Sequence, residues 1–136
     1  MNKRKPIHLF KFGPMKKILR SFRYAFKGLA YATKTQLNFR VHLVAAVIAV
    51  AMGYALHISV NDWQWIILSI TLVLVAELFN TAIEALTDLV SPEYNELAGH
   101  VKDVSAGAVT IAAVFALIMG LIIFLPKLQL LFSHAA

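Results

Sequence analysis

The sequence contains no cysteine, which excludes disulfides and thiolate metal sites while leaving the compartment open. Charge is scarce: of 136 residues, 15% are charged against 60% hydrophobic, and mean hydropathy is +0.71. A soluble domain of this length needs more polar surface, so composition points to the membrane, with room for one domain. No glycine-rich phosphate-binding loop of the form GxxxxGK(S/T) occurs, which removes the commonest way of cradling a nucleotide. The histidines, His8, His42, His57, His100 and His134, show no metal-ligand spacing. The first long apolar run starts only after residue 40 and no small-residue cleavage pattern follows it, so no signal peptide is expected.

What charge there is falls in two blocks. Eleven of the 13 Lys and Arg lie between Lys3 and Arg40, and six of the 7 acids lie between Glu77 and Asp103. Next to hydrophobic spans, a basic end reads as the positive-inside rule together with attraction to anionic lipid headgroups. Nucleic acid is the weaker reading and is not expected as a partner.

The expected architecture is an all-α integral membrane protein: three transmembrane helices preceded by an amphipathic interfacial helix. Residues 1–14, with two prolines and a glycine, form a flexible basic lead-in. Over 15–35, Ile18, Phe22, Ala25 and Leu29 share one helical face, and Lys16, Arg20, Arg23, Lys27 and Lys34 share the opposite one. That pattern suits a helix lying in the membrane interface. Spans are expected over about 38–58, 63–90 and 104–125, the last ending at Pro126, with 127–136 as a short tail. The resulting single domain is 15–126. Charge asymmetry puts the N-terminus and the 91–103 loop in the cytoplasm and the SVNDW connector outside, in a multi-pass membrane protein.

The second span carries an anomaly. Within LVLVAELFNTAIEALTDLV, Glu77, Glu84 and Asp88 lie within about 40° of one another around the helix, with Asn80 and Thr81 flanking them. Successive carboxylates are separated by roughly 10 Å and then 6 Å along the axis. A charge inside hydrocarbon costs several kcal/mol on most scales, so such a group faces a protein interior and has a role. Glu77, the deepest, is the candidate general base. Glu84 and Asp88, nearer the water, are candidate hard-oxygen ligands for Mg²⁺.

Residues Ala76–Val109, AELFNTAIEALTDLVSPEYNELAGHVKDVSAGAV, closely resemble the signature of the prokaryotic diacylglycerol kinase family of small integral-membrane lipid kinases, which includes undecaprenol kinases. The resemblance extends to SFRYAFKGL (Ser21–Leu29) and NFRVH (Asn38–His42), and so covers about Lys16 to Leu125. It implies ATP- and Mg²⁺-dependent phosphorylation of a membrane lipid alcohol, diacylglycerol or undecaprenol, at the cytoplasmic interface. The SPEYN and KDVSAGAV variants lean towards undecaprenol. By the same resemblance Glu77 takes the proton from the lipid hydroxyl, Asn80 orients that centre and Glu84 ligates Mg²⁺. Lys102 and Asp103 meet ATP, Glu93, Tyr94 and Asn95 line the nucleotide site, and Lys17 and Tyr24 approach it from the surface helix. A homotrimer with shared active sites is also implied. At one position the sequence departs from the family: a second metal-binding glutamate, frequent before NFR, is replaced by Gln36, whose carbonyl brings an oxygen but no charge. Asp88 is a candidate to complete that shell.

Two readings from other classes compete. A small oligomeric proton-coupled transport subunit would use Glu77 as proton carrier, but the polar stripe opens towards one face only. A non-catalytic scaffold binding anionic lipid through the basic helix would leave the acidic stripe and Lys102-Asp103 without a purpose.

Overall fold

The computed structural model describes residues 14–133; most of the expected basic lead-in and the last three residues of the tail lie outside them. The described residues form four helices and no strand: α1 (Pro14–Thr35), α2 (Leu37–Ala55), α3 (Val60–Val90) and α4 (Glu96–Ser133). The described residues divide into two compact units, one ending at Tyr31 and the other beginning at Ala32.

In the first unit, α1 starts on Pro14, whose fixed φ and missing N–H suit a first helical position. Its apolar face is open: Ile18 and Phe22 are more than half exposed, as a helix lying in an interface requires. On its polar side the Lys27 ammonium sits 5.8 Å from the centre of the Tyr24 ring, within cation–π range.

The second unit is built on α3, which packs mainly against α4 and less against α2. Helices α2, α3 and α4 are each long and apolar enough to cross a membrane. At 1.5 Å per residue α3 is roughly 46 Å long and α4 roughly 57 Å, against a hydrocarbon core of about 30 Å. The polar ends of both must therefore project beyond it. Three hydroxyls of α3 are satisfied locally, each donating to the carbonyl four residues back: Ser69 to Trp65 (2.8 Å), Thr71 to Ile67 (2.8 Å) and Thr81 to Glu77 (2.9 Å).

Three boundaries differ from the sequence expectation, each for a local reason. First, α2 stops at Ala55 rather than about residue 58, because the chain turns through a helix-ending motif. Ile58 N–H donates to the Gly53 carbonyl (3.2 Å) and His57 N–H to that of Tyr54 (3.3 Å), with His57 at φ 48°, the left-handed position usually given to glycine. Second, α3 starts at Val60, ahead of Trp63, because Ser59 and Asp62 form a capping box: Asp62 N–H donates to Ser59 Oγ (3.2 Å) and Ser59 N–H to Asp62 Oδ2 (3.1 Å). Third, α4 starts at Glu96 rather than 104, with Asn95 Oδ1 accepting from Ala98 N–H at 3.1 Å, and it continues through Pro126 to Ser133. A proline removes one backbone hydrogen bond, a loss that a long membrane helix tolerates. The expected tail is thus helical as far as it is described.

Next to the α2–α3 turn lies an apolar cluster of Ile58, Ile66, Ile123 and Phe124, with Met52, Trp63 and Met119 packed around it. Tyr54 and Trp63 stack at a tilt with ring centres 4.9 Å apart. Gly53 is buried beneath them; a Cβ there would lie 2.8 Å from the edge of the Trp63 ring and 3.1 Å from Ile58 Cδ1. A rigid ring cannot yield as a flexible chain end would. Gly53→Ala is therefore expected to lower stability by about 1–3 kcal/mol and to shift tryptophan emission. Thermal unfolding in detergent, with Gly53→Ala/Trp63→Phe as the relieving double variant, checks this.

Candidate functional site

Below the apolar cluster, towards the loop between α3 and α4, the bundle becomes polar inside. Glu77, Asn80 and Thr81 on α3 and Ser105 on α4 are all buried, with Val109 beside them. This layer forms because the E-x-x-N-T stripe of α3 faces the start of α4, while Leu78, Phe79 and Leu86 cover the remaining sides of the helix.

Glu77 is 1% exposed, and its Oε2 has no hydrogen-bond partner. An unpaired buried acceptor is rare enough to require an explanation. It borders a cleft of about 440 Å³ whose walls include Asn38, His42, Asn80, Val109 and Thr110. A second cavity, of about 450 Å³, runs between α2, α3 and α4 among Ala49, Met52, Ile70, Val73 and Phe124. The two share His42, Ala113 and Leu117 as walls. A mixed pocket with a carboxylate in its wall therefore adjoins an almost wholly apolar one.

One turn on from Asn80, the half-buried Glu84 is held by two amides. Asn80 Nδ2 donates to its Oε1 at 3.0 Å, and Gln36 Nε2 approaches its Oε2 at 3.4 Å. Gln36 occupies the α1–α2 junction, between the last residue of α1 and the first of α2, so this contact ties that junction to α3. The other end of the Asn80 amide, Oδ1, accepts from Ser105 Oγ at 2.6 Å.

The next turn of α3 brings Asp88 beside Lys102 of α4 in an ion pair. Asp88, a candidate metal ligand from its sequence position, thus has its carboxylate engaged by the lysine. Of the loop residues, Tyr94 is 96% exposed, Glu93 is exposed and Asn95 caps α4, while Asp103 lies exposed on α4. Lys17 and Tyr24 belong to the first unit, where both are exposed.

Four polar residues of this region, Asn38, His42, Ser105 and Thr110, are not among the sequence candidates. Asn38 and His42 are four apart on α2 and so share a face, a signal available in NFRVH. Ser105 follows Lys102 by three and precedes Val109 by four, which places it on the same face of α4 as the lysine.

The half-buried Glu84 carboxylate offers hard oxygens, while the two amides beside it turn nitrogen towards it and would have to turn over to add oxygens of their own. Among the described residues no three His, Cys, Asp or Glu are grouped as an all-protein metal cage. Such a set fits Mg²⁺, which is commonly held by one or two carboxylates together with water and substrate phosphate.

Comparison with known proteins gives a consistent result. The model of the prokaryotic diacylglycerol kinase family matches residues 23–124. The chain is 43% identical over 112 residues to a diacylglycerol kinase of Synechocystis, covering 82% of this chain and 64% of that protein, which is thus the longer of the two. It is 39% identical over 114 residues to an undecaprenol kinase of Bacillus subtilis, covering 84% and 93% respectively. With a diacylglycerol kinase of Escherichia coli it shares 36% identity over 102 residues, covering 75% and 84%.

The Gln36–Glu84 contact generates a test. Gln36→Glu replaces an amide donor by a second carboxylate beside Glu84. Without divalent cation this is expected to cost on the order of 1 kcal/mol of stability, whereas Mg²⁺ or Mn²⁺ should restore it and bind more tightly than in the wild type. Activity at low Mg²⁺ should be preserved or raised. Unfolding with and without the cation, and Mn²⁺ titration followed by electron paramagnetic resonance, measure the two effects.

Proposed function

This chain belongs to the prokaryotic diacylglycerol kinase family of lipid kinases, and we propose that it transfers the γ-phosphoryl group of ATP to the hydroxyl of a membrane lipid alcohol, with Glu77 as general base. The observation that carries this reading is the buried, unpaired Glu77 Oε2 on a cleft whose walls continue into an apolar groove. A lipid hydroxyl can reach the carboxylate through that cleft while its chain stays among apolar side chains.

In the proposed reaction the lipid O–H gives its proton to Glu77 Oε2, the lipid oxygen bonds to the γ-phosphorus, and the bond from that phosphorus to the β–γ bridging oxygen breaks to release ADP. Phosphoryl transfer depends mainly on positioning and charge neutralisation, and the chain's polar groups are of the types needed. Glu84 and the Gln36 carbonyl are the proposed Mg²⁺ ligands, with Asp88 as a further one; Mg²⁺, when bound, supplies positive charge to the phosphates. For Gln36 this requires the amide to turn its oxygen inward, since its nitrogen faces Glu84. Lys102 is proposed to exchange Asp88 for ATP phosphate, freeing that carboxylate. Asp103, Glu93, Tyr94 and Asn95 complete the proposed nucleotide side, and the family resemblance proposes nucleotide contacts for Lys17 and Tyr24 as well.

The setting is proposed to be the bacterial cytoplasmic membrane, with the N-terminus in the cytoplasm and the basic α1 lying on anionic headgroups. A homotrimer with shared sites is proposed on the family resemblance. The curated relatives include both diacylglycerol and undecaprenol kinases; the SPEYN and KDVSAGAV segments favour undecaprenol. A transport role for Glu77 has no support from this family membership.

Purified protein in mixed micelles with Mg²⁺, labelled ATP and either lipid tests the reading. Label is expected in the lipid, faster with undecaprenol, and Glu77→Gln should reduce kcat by about 10²–10⁴-fold with its helix content intact. Failure to label either lipid would sink the proposal.

A further inference from the structure

Ser105 plays no part in the reaction as described, yet it is buried and shares a short hydrogen bond with a residue of the site. Its Oγ lies 2.6 Å from Asn80 Oδ1 and 2.9 Å from the backbone carbonyl of Lys102. A hydroxyl has one proton and both neighbours are acceptors, so which of them receives it depends on how the Asn80 amide is turned.

The charge of Glu84 decides that orientation. An ionised carboxylate only accepts, so Asn80 must present its NH₂ to Glu84 Oε1, as it does at 3.0 Å. The amide oxygen is then directed at Ser105, on the other helix. Asn80 is 5% exposed, so an unpaired oxygen there would carry a desolvation cost. Donation from Ser105 meets that need and holds the amide against turning over. A turned amide would set oxygen against carboxylate.

Resting on the lipid-kinase reading above, we infer that Ser105 is a positioning residue for phosphoryl transfer: by fixing the Asn80 amide it holds the Glu84 carboxylate in the orientation that receives the cation accompanying ATP. The same hydroxyl touches the Lys102 carbonyl one turn back. It therefore links the α4 turn carrying the lysine to the α3 turn carrying the carboxylate, two groups that must act on the same phosphates. Ser105 touches no reacting atom; its effect passes through Asn80.

The test uses the full chain in detergent micelles with ¹⁵N-asparagine, comparing wild type, Ser105→Ala and Ser105→Thr. The Asn80 side-chain signal is assigned by its loss in Asn80→Asp. In the wild type and Ser105→Thr, the two Asn80 amide protons are expected to be separately resolved and slow to exchange with solvent. In Ser105→Ala they should shift and exchange about tenfold faster. In the kinase assay Ser105→Ala should raise the Mg²⁺ concentration for half-activation about fivefold, the effect of losing one hydrogen bond in a charged network. The KM for lipid should stay unchanged, and Ser105→Thr should restore the Mg²⁺ requirement. A residue that only buttressed helix packing would change the active fraction but not the Mg²⁺ requirement. Unchanged Asn80 signals in Ser105→Ala, or a Mg²⁺ requirement that does not move, would overturn this inference alone. A wild type that phosphorylates neither lipid while showing the Asn80 pattern would instead overturn the reading of the reaction.

Discussion

A carboxylate placed inside hydrocarbon has to be enclosed by protein, and the pairing of α3 with α4 encloses Glu77. Its consequences run through the second unit. Because α3 turns its polar stripe inward, the opposite sides of the helix are free to be uniformly apolar. Because α4 faces that stripe, its first turns carry Lys102 and Ser105 where a purely spanning helix would carry leucine. Ser69, Thr71 and Thr81 bond to their own backbone and Ser105 reaches Asn80, and among the described residues one acid oxygen, Glu77 Oε2, is buried without a partner.

The bundle is accordingly divided along its length. At the α2–α3 turn it is closed by Ile58, Ile66, Ile123 and Phe124 and pinned by Gly53 beneath Trp63. At the other end, polar groups replace apolar ones in the interior, and hydrogen bonds run from Gln36 at the α1–α2 junction to Glu84 and from Ser105 on α4 to Asn80 on α3. A packed apolar end and a hydrogen-bonded polar end would suit the proposed reaction at a membrane surface. The first resists distortion, and the second can exchange partners, as the half-exposed Asp88–Lys102 pair can, at modest cost.

Much of this was legible in the sequence because membrane constraints are severe. Three apolar segments of spanning length, a basic amphipathic helix before them and a polar stripe at helical spacing follow from periodicity and composition alone. The stripe picked out Glu77, Asn80, Glu84 and Asp88. Boundaries were less legible where capping overrode hydropathy: the Ser59–Asp62 box started α3 early, and Asn95 started α4 a full two turns before its apolar run. Pro126, a stop signal in the sequence, lies within the helix, because one missing hydrogen bond does not end a helix that is otherwise continuous.

Within the site, residues on one helix could be grouped by arithmetic, since a helix has a single period. Residues on different helices could not, because their meeting depends on how α2, α3 and α4 are rotated against one another. So the sequence by itself determined which face of α3 is polar and which segments are long and apolar enough to span. Tertiary structure alone decided that Asp88 holds Lys102, that Gln36 reaches Glu84 across 48 positions of chain, and that Ser105 and His42 belong to this neighbourhood at all. Helical phase is a local property of the chain, whereas contact between helices is a result of packing.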